Sequence, residues 1–192
     1  METLGVDLAA QARKTAVCLI RWATNKATVE SLEVGVTDDR LLELFPQAEK
    51  VGIDVPFGWP DSFVKAICAH RHFRPWPASS IRELRYRATD RFEHEKTNKW
   101  PLSVSTDKLG VVALRAAALL SKVSAREPVD RTGAARFVEV YPPPALIRWS
   151  FSPDEIGKGN TASLASAAPK KLGSRLKIPR GFKLCAQKSG TR

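Results

Sequence analysis

Apolar and polar residues alternate in short runs along the first third of the chain. Leu4, Val6 and Leu8 fall on one face of a predicted strand over 4–9, and a second strand is predicted over 15–23. A third is predicted over 28–36, although Val29, Leu32, Val34 and Val36 alternate imperfectly. The links between these strands are short and polar, which predicts antiparallel neighbours. Thr37 then caps a predicted helix, with Asp38 and Asp39 in its first turn and Leu41, Leu42 and Phe45 on its buried side; Pro46 ends it. Val51, Ile53 and Val55 form one face of a fourth strand. Returning after a helix, it is expected to lie parallel to the first through a right-handed crossover.

Past the Pro56-Phe-Gly-Trp-Pro60 turn, Asp61 is expected to cap a helix with Phe63, Val64, Ile67 and Cys68 on one face. His70 and His72 near its end face different directions and make a poor ligand pair. Arg74-Pro-Trp-Pro77 breaks the chain, and a basic amphipathic segment follows with Arg82, Arg85, Arg87 and Arg91. A helix over 107–124, capped by Ser105 or Thr106, carries few charges on any face and is expected to pack across the sheet. Phe137-Val-Glu-Val-Tyr141 is a fifth strand, stopped by prolines. Beyond Ser150 the apolar pattern thins, so the chain divides into a domain over 1–150 and a basic, weakly structured segment over 151–192.

The candidate chemistry lies where carboxylates interrupt these strands. Asp54 ends an apolar strand on the face opposite Val51, Ile53 and Val55, and Asp7 repeats the pattern in Leu4-Gly-Val-Asp-Leu. An unpaired buried carboxylate costs several kcal/mol, so such an acid either caps the following turn or meets a metal, a cation or backbone donors. The crossover would bring Asp7 and Asp54 together. Glu139 is a third acid in a strand that otherwise calls for burial, and is either part of an edge strand, an arginine's ion-pair partner or a site residue. The densest basic cluster, Arg85-Tyr-Arg-Ala-Thr-Asp90 with Arg91, is either a helix surface laced by ion pairs or a phosphate clamp, since arginine offers a planar fork matched to phosphate.

Composition alters this picture at the C-terminal end. The 192-residue chain is 43% hydrophobic and has a net charge of +11, but nine basic residues and no acid lie between Ile156 and Arg192, leaving +2 before them. Such a basic run binds polyanions through counterion release, or is an inert solvated appendage. No apolar run approaches the roughly 18 residues of a membrane span. The start of the chain lacks the regions of a signal peptide, the three cysteines lack metal-ligand spacing, and Cys18 and Cys68, in apolar segments, read as small core residues. A soluble, cytoplasmic protein with nucleic acid as partner is expected.

Four segments carry a resemblance: Gly-Val-Asp-Leu-Ala at the start, Gly-Ile-Asp-Val-Pro-Phe-Gly around Asp54, Arg87-Ala-Thr-Asp90, and Glu139-Val-Tyr-Pro142. In this order and spacing, over about residues 4 to 160, the chain resembles an uncharacterised family of predicted nucleases with a ribonuclease H-like fold. That resemblance implies an α/β fold, a mixed five-stranded sheet flanked by helices, with carboxylates on adjacent strands holding Mg²⁺ or Mn²⁺ for phosphodiester hydrolysis. Asp7 and Asp54 match its strand acids, and Glu139 or Asp90 would complete the shell. Arg85, Arg87 and Arg91, with Asp90, would line the substrate groove. Such nucleases generally place a further acid on a last helix, and nothing after Glu155 is acidic, which suits a C-terminally truncated or divergent member that cleaves slowly. Two rival classes are a non-catalytic nucleic-acid-binding module and an actin-like ATPase or sugar kinase. The latter calls for a Gly-rich first hairpin, where this chain has Ala9-Ala-Gln-Ala-Arg13.

Overall fold

The computed structural model describes residues 1–24, 26–143 and 145, together with the backbone of Leu176 and Lys177. Strands β1 (Glu2–Asp7), β2 (Ala16–Ala23) and β3 (Lys26–Val34) run up, down and up, and α1 (Asp38–Leu44) leads to β4 (Lys50–Ile53). Three helices follow in the next third: α2 (Asp61–His70), α3 (Ile81–Arg85) and α4 (Ala88–Thr97). Then come α5 (Leu109–Ser124), β5 (Phe137–Glu139) and the two-residue β6 (Leu176–Lys177). The sheet order is β5-β4-β1-β2-β3-β6, with β2 antiparallel to both its neighbours and β4 parallel to both β1 and β5.

The five predicted strands are all present, and β6 adds a sixth by pairing in parallel with Ala27 and Thr28 of β3. Apart from these two residues, the basic segment expected over 151–192 lies outside the described residues. The broken alternation of β3 has a local cause. Leu19 pairs with Ser31 and Ile20 with Val29, so Glu30 is an extra residue in β3 and the apolar phase slips there.

One core lies on one face of the sheet. Leu4, Val6, Leu8, Val17, Leu19, Val51, Ile53 and Val55 pack with Leu41, Leu44 and Phe45 from α1 and its end, and with Val112, Ala116, Leu119 and Val123 of α5. Phe137 is fully buried, with its ring edge-on to Phe45 at 5.1 Å. Thr37 caps α1 as expected, its side chain accepting from Arg40 N at 3.2 Å. Helix α5 packs on the sheet, but it is one-sided: Val111 and Leu114 are exposed. Its start is also later than expected. Neither Ser105 nor Thr106 caps it; instead buried Ser103 accepts from the N–H groups of both.

Helix α2 departs most from its predicted role. Pro60 occupies its cap position and Asp61 lies in the first turn, while Val64, Ile67 and Cys68 are exposed and Ala66 alone is buried. None of its residues joins the core on the sheet. The predicted basic helix is two short helices separated at Tyr86–Arg87. Ser80 opens the first with a reciprocal capping box to Glu83. No helix of the described residues is long and apolar enough to cross a membrane.

Candidate active site at the carboxyl ends of β1 and β4

Val6 and Ile53 are paired across the parallel strands, and Asp7 and Asp54 each come one residue later. Asp54 N donates to Val6 O at 2.8 Å, so the pairing holds to the last position. Alternation turns both acids away from the core, onto the face where Gly5 and Gly52 lie in register. Water reaches Asp7, but enough protein surrounds it that desolvation raises its pKa. Asp54 is half-buried, and its pKa is pushed up to about 6, first by burial and then by the negative charges of Asp7 and Glu139. Among the described residues, no basic side chain offsets either rise, and the two acids are neighbours without a countercharge there.

The third acid has one. Arg87, at the cap position of α4, directs Nη1 to Glu139 Oε2 and Nη2 to Glu139 Oε1, both at 2.8 Å. Its Nε and Nη2 also reach the two Asp90 oxygens at 3.1 and 2.7 Å. Asp90 in turn accepts from Arg87 N at 2.8 Å, and Glu139 accepts from Phe57 N at 2.8 Å. Burial alone would lower the Arg87 pKa, but its bonds to Asp90 and Glu139 outweigh that and hold the guanidinium above its ordinary value. Two of the readings open for Glu139 are met: β5 is an edge strand of the sheet, and Glu139 is the ion-pair partner of an arginine. Its oxygens accept three hydrogen bonds between them, and Asp90 is 4% exposed. Among the described residues, no group of three or more His, Cys, Asp or Glu side chains is arranged as a ligand set.

A cleft of about 550 Å³ opens beside this triad, bordered by Asp54, Arg87, Glu139, Lys96, Arg131 and Tyr141. Of the arginines expected at the groove, Arg87 lines it but is committed to two acids. Arg85 and Arg91 do not line it: Arg91 Nη1 donates to Tyr86 O at 2.8 Å, and Arg85 Nη2 lies 3.9 Å from Asp107. The cleft's other cations are Lys96, which lies over the Phe92 ring, and Arg131, whose Nε donates to Phe57 O at 3.1 Å. Neither was singled out from sequence, because a lysine in a charged helix and an arginine in a polar loop carry no pattern. Tyr141 keeps its proton more firmly than usual, chiefly through burial and then through the charges of Asp54, Asp90 and Glu93.

The loop that presents Arg131 is fixed from below. Lys50, the first residue of β4, donates to the carbonyls of Gly133 and Ala134 at 3.0 and 3.1 Å and also to that of Ala135. Asp130 accepts from Thr132 N and Ala135 N, and with the Thr132 hydroxyl these bonds hold its carboxyl down at about 2. Gly133 adopts φ +77°, and a Cβ there would approach Val138 Cγ2 to 2.9 Å. Gly133→Ala is therefore expected to cost about 1–2 kcal/mol in urea unfolding, from left-handed strain alone. No measurable loss would show that the loop shifts freely.

A family model described as protein of unknown function (DUF429) matches residues 5–180. The chain belongs to that family. The DUF429 match contains Asp7, Asp54, Arg87, Asp90 and Glu139, and it continues past residue 150 into the basic segment. Neither the comparison with curated proteins nor that with solved structures gave a match.

Proposed function

We propose that this DUF429 protein is a metal-dependent phosphodiester hydrolase with a ribonuclease H-like fold, acting on nucleic acid. One observation carries the reading: Asp7 and Asp54, at the ends of adjacent parallel strands, repel one another with no basic partner among the described residues. The sheet supports it, with five mixed strands and its first and fourth side by side. Two carboxylates, with water completing the shell, fit one hard divalent cation such as Mg²⁺ or Mn²⁺, which retains several waters when bound. Glu139 and Asp90 fit less well, since Arg87 already offsets their charge.

Such an ion, when bound, supplies an activated water and charge stabilisation at the phosphoryl oxygens. The chain's own groups do the rest. Asp7 and Asp54 hold the cation; Arg87 fixes Glu139, which in turn holds Phe57 N and the turn that follows Asp54. Lys96 and Arg131 hold substrate phosphate along the cleft, and protonated Tyr141 offers a hydrogen-bond donor there.

The test is cleavage of labelled single-stranded, duplex and hybrid substrates in Mg²⁺ and Mn²⁺ by the full chain and by Asp7→Asn and Asp54→Asn. Slow, cation-dependent cleavage lost in both variants is expected. A wild-type chain that cleaves no faster than its variants overturns the enzyme reading. The second reading, a non-catalytic nucleic-acid-binding module, would then hold, and the pairing of Glu139 and Asp90 with Arg87 is what favours it.

A further inference from the structure

We infer that the turn after α2 is a stacking platform for single-stranded nucleic acid, built from Phe73 and Trp76 and flanked by Arg71 and Arg74. The inference rests on the reading of the chain as a protein that acts on nucleic acid. It names the form of the substrate and uses residues away from the carboxylate site.

Phe73 is the decisive residue. Arg74 N donates to Ala69 O at 3.0 Å and Phe73 N to His70 O at 2.9 Å, which are the two paired bonds of a Schellman motif ending α2. Phe73 therefore occupies the position that glycine ordinarily fills, and it does so at φ +51°. A bulky side chain is disfavoured in that region. Burial does not compensate, since Phe73 is 90% exposed. Beyond an edge-on contact with His70 the ring gains little from the fold, and it strains the backbone, so its exposed face is the feature a phenylalanine supplies there.

A second aromatic is presented beside it. Trp76 lies between Pro75 and Pro77, whose rings fix the backbone on both sides, and it is 53% exposed. The His70 ring meets both, edge-on to Phe73 at 5.7 Å and to Trp76 at 6.3 Å between centroids. Two rings held on rigid backbone lose little freedom when a flat partner arrives.

Charge selects the partner. From Ser62 to Arg82 there is no carboxylate, while Lys65, Arg71, Arg74 and Arg82 are basic. Glu83, the next acid, is turned back onto Ser80 N at 2.7 Å. Exposed aromatics interleaved with arginines fit unpaired bases and the phosphates between them. In a duplex the base faces are already stacked on one another, so the rings offer it little.

The experiment measures binding in chelator, where no cation-dependent cleavage occurs, by anisotropy of a labelled oligothymidylate of about 12 nucleotides and of a hairpin duplex. The proteins are the full chain, Phe73→Gly and Trp76→Ala. Phe73→Gly removes the ring while relieving the backbone, so it folds at least as well as the parent. Each aromatic substitution is expected to weaken single-strand binding by about fivefold or more, with duplex binding unchanged. Chelator removes the cation on which the hydrolase reading depends, so failure of that reading would leave this result standing. Equal binding by the parent and Phe73→Gly, or no single-strand binding by the parent, overturns the platform. So does sedimentation showing a dimer dispersed by Phe73→Gly with oligonucleotide affinity unchanged, which would assign the surface to a second copy of the chain.

Discussion

Arg87→Met should destabilise the protein by about 3–5 kcal/mol in urea unfolding at neutral pH, more than a typical single substitution. The Arg87 side chain is 15% exposed, and those of Asp90 and Glu139 are 6% and 24% exposed, so water screens these charges poorly. Removing the guanidinium leaves two carboxylates with one backbone donor each and no countercharge. The cost is the penalty for uncompensated buried charge rather than the net worth of the pairs, which desolvation offsets. Arg87→Lys should recover little, since one ammonium cannot span two carboxylates as the planar fork does. A loss under about 1 kcal/mol for Arg87→Met would mean that the triad behaves as a surface ion pair.

Asp54→Asn should stabilise the metal-free protein at pH 7 by about 1–2 kcal/mol, after discounting its pKa shift for solvent screening. The folded-state pKa of about 6 lies above the ordinary 3.8, because burial, Asp7 and Glu139 all disfavour the anion. Between these values the folded chain binds more proton than the unfolded one, so the stability Asp54 contributes falls as pH rises from about 4 to 6. The gain from asparagine should therefore be full above about pH 6 and vanish below about pH 4. The measurement is thermal or urea unfolding across that range in chelator. A variant less stable than the parent at pH 7 would show that Asp54 already has a stabilising partner. A gain in stability on removing a site residue is the pattern of a group placed for function.

Much of the sheet was legible because alternation and short links are local signals. Asp7 and Asp54 were legible as well, since each follows an apolar run that a helix returns to the same edge. What lay beyond the sequence depends on distance. Glu139 and Arg87 are 52 positions apart, and nothing local tells a clamp arginine from one that binds two acids. The exposed face of α2 misled for a related reason: Val64 and Ile67 have core spacing, but the core was already filled by α1 and α5. Ser103 was missed as the organiser of the turn before α5 because two other hydroxyls stand closer to the helix.

Arg115 of α5 donates to Ala9 O and to Thr15 Oγ1, 106 and 100 positions earlier, and to Asp38, 77 positions earlier. Hairpins between successive strands close in microseconds, whereas contacts of this span wait for long loops to close. The segment that follows Asp7 is thus tied twice, locally where Ala9 N donates to Thr15 Oγ1 at 3.3 Å and across the molecule to α5. The pairing of β1 with β4 sets the two carboxylates side by side, and Arg115 anchors the ground beyond Asp7 to the helix that covers the core beneath them.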